Sequence, residues 1–364
     1  MNAQEVTVIG DGWAALAMVG LYLASEVKVH WIVGTQVHKV SPLACVSASS
    51  GIAYMTDLFS RFGIACGEPR FGTFIREYRN KAFKEPLWMR APSLEARSES
   101  MKELLWHFER RFIGISQVRF ELDFFEIEKQ LCEAINQHPQ LDLIQDSLIK
   151  HERHSKHELF LGSGRSLSSD QVIYADFWSQ LGKVQGAPRP LEIIGLLEPM
   201  GVFQVSFFHH QPIGACIAES FFSSLPKESG ETRDRHFYGY FSSDGMRSHW
   251  SFGLTEEEFE NNHEIGKKFR KLKTSLGRML SVTGLISGDT DFSSCVAQEQ
   301  VRLAQDWIFP EEKLSLLIQD PTLLWITDAC GISSAFEQVG KILVSEGRME
   351  LKEVLLTAGV QDIV

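Results

Sequence analysis

Six residues, Gly10-Asp11-Gly12-Trp13-Ala14-Ala15, constrain this chain more than any other segment. They sit between two segments of opposite character. Glu5-Val6-Thr7-Val8-Ile9-Gly10 is β-branched and ends in glycine, so it reads as a buried strand. Leu16 to Ser25 is rich in Ala, Leu and Met and reads as a helix. Val27 to Val33 is a second strand. In such a G-x-G-x-x-A turn, the first glycine permits the tight strand-to-helix reversal. The second leaves room for a pyrophosphate against the backbone, and the small Ala15 lets helix and strand pack closely. The helix then offers free N–H groups and the positive end of its dipole to phosphate. The strand–turn–helix–strand context, not the glycines alone, predicts a dinucleotide-binding βαβ unit.

A chain of 364 residues with 44% hydrophobic content has the size for two domains. Its formal net charge of −11, without a basic stripe, argues against nucleic acid as a partner. It argues equally against docking on an anionic membrane. The apolar stretch from Gly12 to Ser25 is closed by Asp11 and Glu26 and is too short to span a bilayer. No basic segment precedes it, so it is not read as a signal peptide. Six cysteines without a CxxC pair predict free thiols in a reducing compartment, and hence a cytoplasmic protein.

Downstream, Ile52 to Phe62 reads as a helix closed by Gly63, and Ser98 to Phe112 and Asp123 to Asn136 read as two more. Leu141 to Ala175 reads as a β-meander, with strands Leu141–Ile144, Leu148–Glu152, Glu158–Leu161 and Gln171–Tyr174. Pro188 and Pro190 mark a boundary. His236 to Phe241 and Arg247 to Phe252 form a hairpin turned at Asp244-Gly245. Its Tyr238, Tyr240, His249, Trp250 and Phe252 are expected to pack the sheet, some of them lining an apolar cavity. Glu256 to Met279 is a charged helix expected to face solvent. Leu323 to Thr327 is a late buried strand. Asp328-Ala329-Cys330-Gly331 follows it, then a helix over Ser333 to Ser345 with Ser333 as N-cap.

Few residues announce catalysis. His151, His154 and His157 lie among Glu152, Arg153 and Lys156. They read as a solvated polar face and not a metal site, because no ligand spacing accompanies them. His209-His210 reads as packed or exposed, and Cys330 as a buried, inert thiol. G-x-S-x-G, H-E-x-x-H and phosphate-loop lysine motifs are absent from the sequence. No catalytic residue and no metal ligand is assigned.

Three segments together resemble a known class. They are Val8 to Ala15, Leu141 to Ala175 with its Ile173-Tyr174-Ala175, and Leu324-Trp325-Ile326-Thr327-Asp328-Ala329-Cys330-Gly331. This order is similar to FAD-dependent oxidoreductases of the glutathione-reductase-like class, in the amine oxidase and protoporphyrinogen oxidase branch. The resemblance implies FAD as cofactor, with Asp328 as a ribityl or pyrophosphate contact. It implies that Gly331, Ser333 and Ser334, with the helix they open, approach the flavin ring. It places Ser50 and Gly51 on the loop passing the isoalloxazine. The chain departs from the pattern where Val33-Gly34-Thr35-Gln36 replaces the usual acid after the second strand, leaving Gln36 to offer a neutral hydrogen bond to the ribose. NAD(P) is the weaker reading, since a simple NAD domain has no use for the late Asp328 motif.

The expectation is therefore an α/β fold, a Rossmann-type FAD/NAD(P)-binding domain with a second α+β domain containing an antiparallel sheet. Residues 1–75, 105–190 and 295–364 are expected in the discontinuous dinucleotide domain, and 76–104 and 191–294 in the substrate domain. Cofactor contacts are expected from Gly10, Gly12, Trp13, Ala14, Ala15, Gln36, Ser50, Gly51, Leu148, Asp328, Gly331, Ser333 and Ser334. Function is expected to be FAD-dependent oxidation of a small organic molecule, with no nucleic acid, no integral membrane association and room for a protein partner. The alternative is a flavoprotein-like binding protein that has lost catalysis and weakened its dinucleotide site, which Gly34 motivates.

Overall fold

The computed structural model describes residues 5–34, 45–47, 50–66, 70–71, 74–79, 81–83, 87–88, 117–119, 124–175, 183–187, 198–213, 219–225, 235–242, 244–282, 285–286, 291–308, 320–327 and 332–352. Its first layer is a five-stranded sheet, parallel throughout. From one edge to the other run β19 (Leu323–Ile326), β13 (Gln171–Ala175), β1 (Val6–Gly10), β2 (Val29–Val33) and β9 (Leu141–Gln145). Parallel strands need both faces covered, which is why these read as continuous apolar runs. One face carries the helices α1 (Gly12–Ala24), α2 (Ser50–Arg61), α3 (Phe124–Asn136) and α6 (Ile332–Ser345). The other carries a three-stranded antiparallel meander of β10 (Leu148–Arg153), β11 (His157–Leu161) and β12 (Ser166–Ser169).

α1 is buried along its whole length from Trp13 to Leu23. A helix apolar all round belongs between layers, and this one lies between the sheet and the outer pair α2 and α6. Phe336 of α6 packs on both Trp13 and Phe59, with ring centroids 6.4 and 6.2 Å apart.

Two strands expected in the meander, Leu141–Ile144 and Gln171–Tyr174, belong instead to the parallel sheet. Leu141–Gln145 is not a meander strand but the parallel edge strand β9. Its Leu141 and Leu143 turn to the helical layer while Ile144 turns to the meander side, so it needs cover on both faces. The meander proper is β10 to β12.

The second sheet has eight strands. Along it lie β18 (Val296–Ile308), β14 (Glu198–His209), β17 (Arg247–Leu254), β16 (Arg235–Phe241), β15 (Glu219–Leu225), β5 (Phe74–Arg79) and β6 (Ala82–Phe83), with β7 (Leu87–Trp88) also on β5. The expected hairpin is β16–β17, with Gly245 at φ +68° in its turn. Val296–Ile308 was expected in the dinucleotide domain. It pairs with β14 from Glu198 to His209 and so belongs to the second sheet. A short third sheet joins β3 (Cys45–Ser47), β8 (Gln117–Arg119) and β4 (Arg70–Phe71).

The charged segment after β17 is also corrected. It forms α4 (Glu256–Phe259) and α5 (Asn262–Val282), and α5 covers the second sheet instead of facing solvent. Ile265, Leu272, Leu276 and Met279 give it a buried stripe, and Phe269 sits 5.2 Å from Phe203 across the interface. Lys268 is on the buried side of this helix, with its Nζ 3.2 Å from Glu258 Oε1. Removing one partner of a buried pair leaves the other charge less well compensated. Lys268→Ala is therefore expected to cost about 3 kcal/mol in urea unfolding, with Lys268→Ala/Glu258→Gln recovering part of the loss.

Among the described residues no helix is long and apolar enough to cross a membrane.

Candidate functional site

The site is built where strands of the parallel sheet end. Gly10 closes β1 at φ +124°. A Cβ there would lie 2.0 Å from the Ala175 carbonyl oxygen, so only glycine fits. Trp31 Nε1 donates to the Gly10 carbonyl at 2.8 Å, pinning the strand end from the β2 side. Gly12 follows at φ +76° and opens α1. Asp11 occupies the N-cap position in extended conformation, yet its side chain makes no cap bond to the helix. The first turn also carries no acidic residue. Its first N–H groups therefore receive no side-chain cap bond and, with the positive end of the helix dipole, suit a phosphate.

Ala14 and Ala15 are fully buried, which gives the close helix–sheet approach read from the motif. Trp13 points its ring into the helical layer against Phe336, so it offers the loop its backbone and not its indole.

Sheet register brings the late motif alongside. Gly10 pairs with Ala175, and Ala175 pairs with Ile326. The segments after Gly10 and after Ile326 therefore leave the sheet at one level, two strand spacings or about 10 Å apart. Each leads into a helix of the same layer, α1 or α6. Gln338 Nε2 holds the Thr327 carbonyl at 2.9 Å and the Ser334 carbonyl at 3.2 Å, tying the start of α6 back to the end of β19. This edge, at the switch between β1–β2 and β13–β19, is where open α/β sheets bind ligands.

Ser50 and Gly51 form the first turn of α2, following β3. Leu148 begins β10 and is buried beneath the meander with Leu161 and Ile9. Ser334 lies in the first turn of α6, as does the backbone of Ser333. Gln36, Asp328, Cys330 and Gly331 lie outside the described residues.

The histidine cluster overturns its expectation. His154 is exposed, but His151 and His157 are 1% and 2% exposed. They face the sheet because the alternation His157-Leu159-Leu161 turns inward. His151 Nδ1 lies 2.8 Å from the Tyr174 hydroxyl, and His151 Nε2 lies 2.9 Å from His157 Nδ1. His157 also bonds the Thr322 backbone in a way that favours a proton on the ring, so the carbonyl accepts. One proton arrangement satisfies every link. Tyr174 donates to His151, His151 to His157, and His157 to Thr322, with both rings neutral. Burial pushes the His151 pKa down to about 4 and lowers that of His157. Tyr174 stacks on Trp325 at 4.4 Å, so this chain of bonds runs under the sheet next to the phosphate-loop strand. Among the described residues no group of three or more His, Cys, Asp or Glu side chains is placed to hold a metal ion.

No protein-family model matches the chain, and no curated protein matches its sequence. Solved structures do. A putative protoporphyrinogen oxidase from Exiguobacterium sp. 255-15 aligns with TM-score 0.57 and 11% identity, over 95% of this chain and 99% of that one. PqsL, a probable FAD-dependent monooxygenase from Pseudomonas aeruginosa, aligns with TM-score 0.53 and 14% identity, over 96% and 89%. p-Nitrophenol 4-monooxygenase PnpA from Pseudomonas putida aligns with TM-score 0.54 and 11% identity, over 95% and 81%. The chain has the fold of FAD-dependent oxidoreductases. The α/β class, with its Rossmann-type domain and antiparallel second sheet, is as the sequence reading expected.

Proposed function

We propose that this protein is an FAD-dependent oxidoreductase acting on a small organic molecule. The observation that carries the reading is the Gly10–Ala15 loop, whose glycine geometry and uncapped helix start suit a pyrophosphate. The backbone of Gly10 to Ala15 would hold the diphosphate, and Gln36 the ribose. Asp328 would take the ribityl chain, while Gly331, Ser333, Ser334, Ser50 and Gly51 would border the ring. Bound there, FAD would supply the hydride or electron chemistry that the chain's own side chains do not. The chain's contribution is to bind, orient and exclude water; no acid or base is assigned. The likeness to a monooxygenase of p-nitrophenol favours a planar aromatic substrate. The finer placing in the amine oxidase and protoporphyrinogen oxidase branch rests on the three sequence segments and on the Exiguobacterium structure.

Reduction of FAD-loaded protein tests this reading. Anaerobic NADPH or NADH, or photoreduction followed by air, is expected to bleach and restore the flavin bands through the protein-bound cofactor. Protein that takes up FAD but never cycles between oxidised and reduced forms would point to the binding-protein alternative that Gly34 motivates.

A further inference from the structure

The second sheet ends on a long strand. β18 runs for 13 residues, and its inner side pairs with β14 in unbroken register from Gln298 to Ile308. Among the described residues nothing pairs with its outer side. Ala297 to Val301 are all exposed, so neither face of the strand is covered along this stretch. Val301, an apolar residue opposite Val205, is 43% exposed.

An edge strand's open N–H and C=O groups are a template for another strand. Edges are therefore usually short, bulged, or guarded by proline or lysine. β18 has few of these devices. Its one register shift falls at the start, between Val296 and Gln298. Val296 to Val301 holds no proline, lysine or arginine, and its single charge, Glu299, is paired with Lys273 of α5.

We infer that β18 is a homodimer interface, where two copies of this chain join edge to edge as an antiparallel pair centred on Val301. Directly opposed antiparallel residues share a face, so a two-fold axis between the copies must set one residue opposite itself. An axis at Glu299 would oppose like charges, which is unfavourable. An axis at Val301 lets the exposed side chain meet its own copy. It places Gln300 opposite Arg302, Glu299 opposite Leu303 and Gln298 opposite Ala304, with no like charges opposed. Lys273 balances Glu299 at this seam and Arg302 adds a positive charge, so a chain of net charge −11 meets its own copy here with little repulsion. Another protein's extended segment could also bond the backbone, but two copies close both edges at once. The inference stands independently of the flavin reading.

Sedimentation velocity of the full chain across a concentration series tests it. Wild type is expected to sediment as a dimer. Val301→Lys puts a natural edge guard on the axis, and is expected to weaken association at least about tenfold while keeping the circular dichroism spectrum. Val301→Cys is expected to give a reducible disulfide between copies under mild oxidation, above the wild-type background, whereas Gln298→Cys is not. A monomeric wild type would overturn the inference. So would a dimer that Val301→Lys leaves intact, or a disulfide that forms at Gln298→Cys and not at Val301→Cys. A monomer that instead takes up a synthetic peptide of residues 296–308 would assign the edge to another chain and overturn self-pairing.

Discussion

Gly10→Ala is expected to yield insoluble protein, or a chain destabilised by more than about 4 kcal/mol. The added Cβ would lie 2.0 Å from the Ala175 carbonyl oxygen, which is backbone of the adjacent parallel strand and cannot rotate away. Gly10 also sits at φ +124°, where a side chain adds strain of about 1–3 kcal/mol. Relief would require β1 and β13 to separate at their ends, breaking a register that spans Val6↔Gln171 to Gly10↔Ala175. It would also disturb the Trp31–Gly10 bond. Soluble yield and thermal melting by circular dichroism check this. A variant melting within a few degrees of wild type would contradict the described packing at the head of the site.

The second large effect is expected at His151. His151→Leu keeps the volume but removes the hydrogen bond to the Tyr174 hydroxyl and leaves His157 Nδ1 without its donor. The buried unmet nitrogen under the meander is expected to cost about 1–3 kcal/mol in urea unfolding, whereas Tyr174→Phe costs about 1 kcal/mol. The sign of the pH dependence follows from the lowered pKa. Unfolded histidine takes up its proton near pH 6.5, while folded His151 resists until about pH 4. The folded state thus binds fewer protons between these values. Stability from this chain of bonds is complete above about pH 6.5 and is lost as pH falls toward 4. His151→Leu is expected to flatten that slope, and a slope unchanged in the variant would place its origin elsewhere.

The phosphate-loop unit was legible because its signal is local. Glycine, alanine and a β-branched run at fixed spacing determine one turn, and that turn appears at Gly10 to Ala15. The late strand and its helix were legible for the same reason. What was not legible depends on pairing across long separations. Nothing in Leu141–Gln145 alone says that it pairs with Val29–Val33, and nothing in Val296–Ile308 says that it joins Glu198–His209. The buried histidines were hidden by charged neighbours, Glu152, Arg153 and Lys156, that give the segment a solvated look. The alternation His157-Leu159-Leu161 carried the inward signal, and weighing period two above local charge would have found it. The burial of Gln204 and Ser251, 3% and 0% exposed on paired strands, was invisible because each strand alone shows only alternation.

The central claim, that FAD binds at the Gly10–Ala15 loop, is tested most directly by titrating the protein with FAD and following flavin fluorescence in wild type and Gly12→Glu. Gly12 opens α1 where the diphosphate would rest, and a glutamate there brings bulk and negative charge to that place. Wild type is expected to bind FAD, and Gly12→Glu is expected to bind at least a hundredfold more weakly while retaining its circular dichroism spectrum. Equal FAD affinity in the two proteins, or no uptake of FAD by wild type, would contradict the account.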